Sequence, residues 1–253
     1  MQKLSKRLQA VARFVTCGSL VADIGTDHGY LPVYLVQSGR CPGALAMDIR
    51  QGPLQRAREH IAANGLEALI KTRLSDGLEQ LGADEAQSVV IAGMGGLTIT
   101  GILGAAGELL SHIRELVLEP QSDIGKVRKF LRLHGMYTDM EELVLEDGKF
   151  YPVLHVVKRD WPSALREGPV MDVLRKKMPE PDRLEELVDQ YGPCLIGESH
   201  PVLGQLLERD RDVKQEILRS LTESASESSK KRRQELERQL TDIRILQETL
   251  ERV

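Results

Sequence analysis

No run of about 18 apolar residues occurs anywhere in the 253-residue sequence, which excludes a membrane-spanning helix of ordinary length. The opening stretch MQKLSKRLQAVARFV is basic but lacks the long apolar core of a signal peptide. Leu4, Leu8, Val11 and Val15 fall near helical spacing instead, so an amphipathic helix in a cytoplasmic protein is expected. Cysteine is scarce: Cys17, Cys41 and Cys194 make an odd number, and their spacing fits no metal motif. Reduced thiols are expected, with no metal requirement and no histidine-supported nucleophile among them. Acidic residues are missing before Asp23, although Lys3, Lys6, Arg7 and Arg13 all precede it. The chain has a net charge of -4, so any polyanionic partner must be met by clustered cations rather than by the overall balance. Lys126, Arg128, Lys129 and Arg132 form a second cluster and Lys230 to Arg233 a third. Each of the three reads equally as a solvated helix face.

With 41% hydrophobic and 28% charged residues, the chain can build one sizeable core plus an appendage, or two small domains. From Leu20 to about Lys158, short apolar runs (LVADIG, GALAMDI, SVVIAG, ELVLEP) alternate with helical stretches such as Pro53 to Asn64 and Thr98 to Ser111. That rhythm predicts an α/β fold, a mostly parallel sheet covered by helices on both faces. Gly65 reads as a helix stop. Residues 139–158 then change character: Asp147-Gly148 between two apolar runs predicts an antiparallel hairpin at one sheet edge. Beyond it, WPSALREGP reads as a linker, dividing the chain into domains 1–160 and 161–253. Two apolar stripes follow: Leu203, Leu206, Leu207, Val213, Ile217, Leu218 and Leu221, then Leu236, Leu240, Ile243, Leu246 and Leu250. They predict a helical, coiled-coil-like pair joined by the polar TESASESSKKRR.

The chemistry concentrates at strand ends. VADIGTDHGYL, residues 21–31, places an apolar strand before a D-x-G-x-D-x-G turn, with a helix expected after Gly29. Gly25 permits a sharp turn and close ligand approach, and free N–H groups at a helix start suit a carboxylate or phosphate. The turn is not G-x-G-x-x-G. A pyrophosphate disfavours neighbouring carboxylates, whereas the ammonium and sulfonium of S-adenosyl-L-methionine welcome them. Asp48, 25 residues after Asp23 and at the end of the next apolar run, suits ribose hydroxyls. Asp76, in Ser75-Asp76-Gly77 after IKTRL, suits an adenine amino group, although Asp-Gly is also a generic turn. Ala92-Gly93-Met94-Gly95-Gly96 follows SVVI, where many amino-group methyltransferases carry an Asn/Asp-Pro-Pro-aromatic motif. Small residues there allow donor and acceptor to pack closely, or simply make a tight connection. The candidate cofactor residues are therefore Asp23, Gly25, Thr26, Asp27 and His28, then Asp48 and Ile49, Asp76 and Gly77, and Gly93, Met94 and Gly95.

Parallel βα repeats closed by a hairpin are the layout of class I Rossmann-like methyltransferases. LSKRLQAVA, VADIGTDHGYLP, SDGLE, IAGMGG and EDGKFYPVL together resemble the TrmK family, bacterial tRNA (adenine-N1)-methyltransferases acting at position 22. The resemblance covers nearly all of residues 3–158; beyond that the chain matches in helical character only. Glu119-Pro120-Gln121 stands where the family pattern has Gln-Pro-Asn. The resemblance implies methylation of adenine N1 in tRNA. That lone pair needs no strong general base, and the product is cationic. Asp27 is the catalytic candidate to balance this charge; His28 reads either as catalytic or as a capping residue. Adenine N1 lies on the Watson–Crick edge, so a paired target must be opened or flipped. Tyr30 and Tyr151 are rings that could stack on it, or structural tyrosines. Lys6, Arg7 and Arg13 are the expected RNA contacts, and a monomer is expected. The rivals are an NAD-dependent oxidoreductase and a non-catalytic RNA-binding protein that keeps the fold as a scaffold.

Overall fold

The computed structural model describes residues 2–157, 168–221 and 227–252, and the chain divides into two compact units, Met1–Trp161 and Pro162–Val253. The first unit is built on seven strands: β1 Val21–Ile24, β2 Ala44–Asp48, β3 Ile70–Leu74, β4 Ser88–Gly95, β5 Glu115–Ser122, β6 Tyr137–Glu146 and β7 Lys149–Val157. Their order is β3-β2-β1-β4-β5-β7-β6. The first five strands run parallel, and β7 pairs antiparallel with both β5 and β6. The predicted hairpin is therefore present at the sheet edge. Its turn has left-handed backbone at Asp147 (φ 49°) and Gly148 (φ 71°), the conformation that matches strand twist in a two-residue hairpin.

The central strands are buried on both sides because helices cover both faces. Alternation sorts their side chains. Val21, Ala46, Val90 and Val117 face one core, while Ala22, Met47, Ile91 and Leu118 face the other. Against the first face pack residues of α1 (Lys6–Phe14), α2 (Tyr30–Gln37) and α3 (Gln51–Ala63), including Val11, Leu35 and Ile61. Against the second pack α4 (Gly96–Ala105) and α5 (Ile124–Leu133), through Ile99, Leu103, Val127 and Leu131. The helix expected over Thr98 to Ser111 breaks at Gly107 (φ 52°), and a 3-10 turn occupies Gly107–His112. Strand order reverses between β1 and β4, so the carboxyl ends of these strands open onto the crevice where ligands bind in such sheets.

The sheet also holds a buried charged network at its other end. Glu115, at the start of β5, accepts hydrogen bonds from Thr16, Ser88 and His155, and the other His155 nitrogen meets Asp139. Burial opposes charge on both partners. The hydrogen bonds outweigh it, holding His155 up at about 9 and Glu115 down at about 2.

The second unit contains α6 Pro169–Lys177, α7 Pro181–Tyr191, α8 Pro193–Gly197, α9 Leu203–Ser220 and α10 Glu227–Leu250. Three of these start with proline, whose missing N–H costs nothing in a first turn. The expected helix pair is α9 packed on α10, with Leu203, Leu207, Leu236, Ile243 and Leu246 buried. Val213 and Ile217 of the expected stripe are exposed. The linker residues 161–167 and the polar residues 222–226 lie outside the described residues. Among the described residues no helix is long and apolar enough to cross a membrane.

Candidate active site

The turn after β1 carries most of the predicted donor residues. Gly25 (φ 75°) reverses the chain, and the N–H groups of Gly25 and Thr26 both donate to the Met47 carbonyl of β2. Asp23 is buried in β1; desolvation, reinforced by the nearby Asp48 charge, pushes its carboxyl up to about 6. Thr26 is buried as well, and its hydroxyl lies beside Asp23, pulling that carboxyl down against the desolvation.

Asp48 closes β2 with its side chain nearly covered. One carboxylate oxygen accepts from the Arg50 N–H at 2.7 Å, which leaves the other for a ligand. Ile49 beside it is exposed. The register pairs Asp48 with Leu74, so Ser75-Asp76-Gly77 emerges alongside. Ser75 Oγ bonds the Gly77 carbonyl and receives the Gln80 N–H, fixing the loop that presents exposed Asp76. Asp76, Gly77, Thr98, Gly101 and Ile102 line one groove between this loop and α4. Asp23, Thr26, Asp48 and Asp76 thus converge from three neighbouring strand ends, β1, β2 and β3.

The glycine-rich segment is not a simple turn. β4 continues through Gly93, Met94 and Gly95 with two bulges against β5, and α4 starts at once on Gly96. The Met94 methyl reaches the Gly25 turn, and a Cβ on Gly96 would collide with the Ser122 carbonyl oxygen. Packing thus excludes a side chain at Gly96, whereas a Cβ on Gly93 would meet only ordinary contacts and the left-handed backbone there (φ 78°) favours glycine instead.

Glu119 is the residue that the sequence reading did not place. It lies fully buried in β5, and its Oε2 accepts from the Gly93 N–H at 2.7 Å and from Arg7 Nη1 at 2.9 Å. Burial raises its pKa against the pull of Arg7. An acidic residue inside the apolar run ELVLEP was the available signal, since a buried carboxylate must find partners.

Arg7 is therefore a correction. Expected as an RNA contact, it turns inward to Glu119, 27% exposed, with its guanidinium 5.6 Å from the Tyr151 ring centre. Arg13 lies 3.4 Å from Glu142. Of the three expected RNA contacts, Lys6 is exposed and its backbone N–H donates to Glu146 Oε1 at 2.7 Å, while its ammonium makes no ion pair among the described residues. Arg128 of the second basic cluster is likewise internal, paired with buried Glu141 at 2.7 Å. Asp27 is 65% exposed; its carboxylate is bound by Arg56 at 2.9 Å and lies 3.6 Å from His28 Nε2. The His28 and Tyr30 rings stack beside it.

Residues 4–154 match a family model described as a methyltransferase domain. Over 153 residues the chain is 42% identical to the tRNA (adenine(22)-N(1))-methyltransferase of Bacillus subtilis, an alignment covering 60% of this chain and 64% of that enzyme's length. The solved structure of the B. subtilis M1A22 tRNA methyltransferase TrmK superimposes with a TM-score of 0.83 at 30% identity, covering 98% of this chain and all of the other. M. capricolum TrmK, solved with the cofactor product S-adenosyl-homocysteine, gives 0.78 at 26% identity over 98% and 99% of the two chains. Sequence, sheet order and strand-end chemistry agree, and the chain belongs to the TrmK family of methyltransferases.

Proposed function

We propose that this protein transfers the methyl group of S-adenosylmethionine to N1 of adenine 22 in tRNA. The observation that carries the reading is the set of acidic groups around the strand-end crevice, with the buried Thr26 hydroxyl among them. A cationic, hydroxyl-rich donor fits this set; an NAD pyrophosphate would meet carboxylates where it needs bare backbone N–H groups. The bound donor supplies an electrophilic methyl group. Asp23 would hold its ammonium, Asp48 its ribose hydroxyls and Asp76 its adenine amino group, while Gly93 to Gly96 let the acceptor base approach closely.

Adenine N1 keeps its lone pair in the neutral base, so the protein's task is alignment and exclusion of water. Charge then develops on the base, and the Asp27 carboxylate, which pairs with Arg56 on the donor turn, would balance it. Lys6 of α1 and Lys230 and Lys231 of α10 would supply exposed cations for tRNA phosphates, while Arg232 pairs with Glu235 and Arg233 donates to the Leu221 carbonyl. We read residues 1–160 as the catalytic domain and 161–253 as a helical domain that adds RNA-binding surface, in a cytoplasmic monomer.

The test is incubation with methyl-labelled S-adenosylmethionine and unmodified tRNA, followed by nucleoside analysis. Labelled 1-methyladenosine is expected. Absence of transfer to tRNA that binds the protein would overturn the reading and favour a non-catalytic binder.

A further inference from the structure

Three aromatic rings beside the donor turn form a column to which the proposed donor contacts of Asp23, Asp48 and Asp76 assign no role. Tyr30 opens α2, His28 precedes it in the turn, and His60 comes from α3. The His28 and Tyr30 rings are parallel within 6°, with centroids 5.2 Å apart. His60 meets Tyr30 edge-on at 5.0 Å and 74°. The base of the column is fixed: His60 Nδ1 lies 2.8 Å from the His28 carbonyl oxygen and Nε2 lies 3.2 Å from Gln2 Oε1. Its outer members are open, with the His28 side chain 38% and Tyr30 39% exposed.

The backbone argues against passive filling. His28 has φ 58° and Gly29 φ 64°, two successive left-handed residues. For a residue with a Cβ that conformation carries an energetic cost. Here an imidazole is held in it and turned outward onto Tyr30. One face of the His28 ring is covered by Tyr30, and its Nε2 edge looks toward Asp27 at 3.6 Å. The ring, with 38% of the side chain exposed and one face on Tyr30, belongs to the Gly25–Gly29 donor turn and neighbours the Asp27–Arg56 pair.

We propose that the outer face of His28, backed by Tyr30 and His60, is the stacking platform for the target adenine of the RNA. The proposal rests on the RNA-adenine reading above and adds the subsite that receives the base. A ring already stacked and propped from behind loses little freedom when a base joins it, and every nucleobase offers the π face it needs. Open acidic and basic groups at its edge orient the base without competing for its face.

The experiment uses the full-length protein, S-adenosyl-homocysteine to block turnover, and tRNA carrying fluorescent 2-aminopurine at the target position. Stacking on the platform quenches the fluorophore. Strong quenching is expected with wild type and with Tyr30→Phe, which keeps the ring. His28→Asn, which tolerates the left-handed backbone, should lose most of the quenching. It should also raise the KM for tRNA about tenfold while leaving cofactor affinity within about twofold. Unchanged quenching and KM in His28→Asn would overturn the platform, and so would a wild-type complex that binds tRNA without quenching. A loss of cofactor affinity in that variant, with quenching intact, would return His28 to the donor site and refute the proposal. If the wild type forms no 1-methyladenosine in tRNA, the functional reading itself has failed; methylation without quenching removes the platform alone.

Discussion

With Asp23 holding the donor's ammonium, as proposed, its burial ties cofactor binding to pH. Its carboxyl sits at about 6 instead of the ordinary 3.8, because β1 removes it from water and Asp48 adds negative charge nearby. The donor's ammonium needs the ionised form. Between pH 7 and pH 5 the ionised fraction falls from about nine-tenths to about one-tenth, so affinity should fall about tenfold, or about 1.4 kcal/mol. Stability should move the other way in the ligand-free protein. The folded pKa lies above the unfolded one, so the contribution is fully present below pH 3.8 and is lost as pH rises through about 6. At pH 7 the ionised group costs the empty fold up to about 3 kcal/mol. Asp23→Asn should therefore raise the ligand-free Tm at pH 7 by on the order of 5 °C and abolish the stabilisation by added cofactor. Calorimetric titration at pH 5, 6 and 7 and thermal unfolding of both proteins measure these effects. Affinity that stays flat across that range, or an Asp23→Asn variant that binds as wild type does, would refute the reasoning.

Asp48→Ala should weaken S-adenosylmethionine binding by about 1.5–3 kcal/mol, as loss of charge-assisted hydrogen bonds does; unchanged affinity by calorimetry in a folded variant would remove Asp48 from the site. Asp27→Ala should slow single-turnover methylation far more than it weakens tRNA binding. Rates within a few-fold of wild type would reduce Asp27 to a partner of Arg56. Arg7→Met strands the buried Glu119 carboxylate and should cost about 3 kcal/mol in denaturant unfolding, most of it recovered in Arg7→Met/Glu119→Gln; a neutral single variant would show that the pair holds nothing. His155 contributes stability that is full below pH 6.5 and fades as pH rises through about 9, whereas Glu115 contributes above pH 4.5 and loses it toward about 2. The alkaline loss of stability should be smaller in His155→Gln, and identical pH profiles would contradict the network.

Much of the sheet was legible because buried strands write themselves as short apolar runs, and IKTRL became β3 from its first residue to its last. The Asp147-Gly148 turn was legible because few residues accept two successive positive φ angles. The end of β4 was not. AGMGG has no side-chain alternation to read, and its pairing with β5 comes from backbone geometry and bulges. The region beyond Trp161 reads as helical, but α6 to α8 are not separated there, since their boundaries are set by prolines and tertiary packing rather than by a long apolar stripe. Among site residues, the aspartates at strand ends could be placed from spacing, since strand length fixes where a strand ends. Arg7 could not, because a run of cations does not say which one turns inward; only Glu119, buried 112 residues away in sequence, decides that. Arg56 likewise becomes the partner of Asp27 through packing of α3 beside the donor turn.

The central claim is the identity of the methylated atom and its nucleotide. Labelled S-adenosylmethionine should be supplied to the full-length protein with two unmodified tRNAs, one bearing adenine 22 and one bearing guanine there, and the digested nucleosides resolved. The account predicts labelled 1-methyladenosine from the first tRNA and none from the second. Label in a different nucleoside, or equal labelling of both tRNAs, would contradict it.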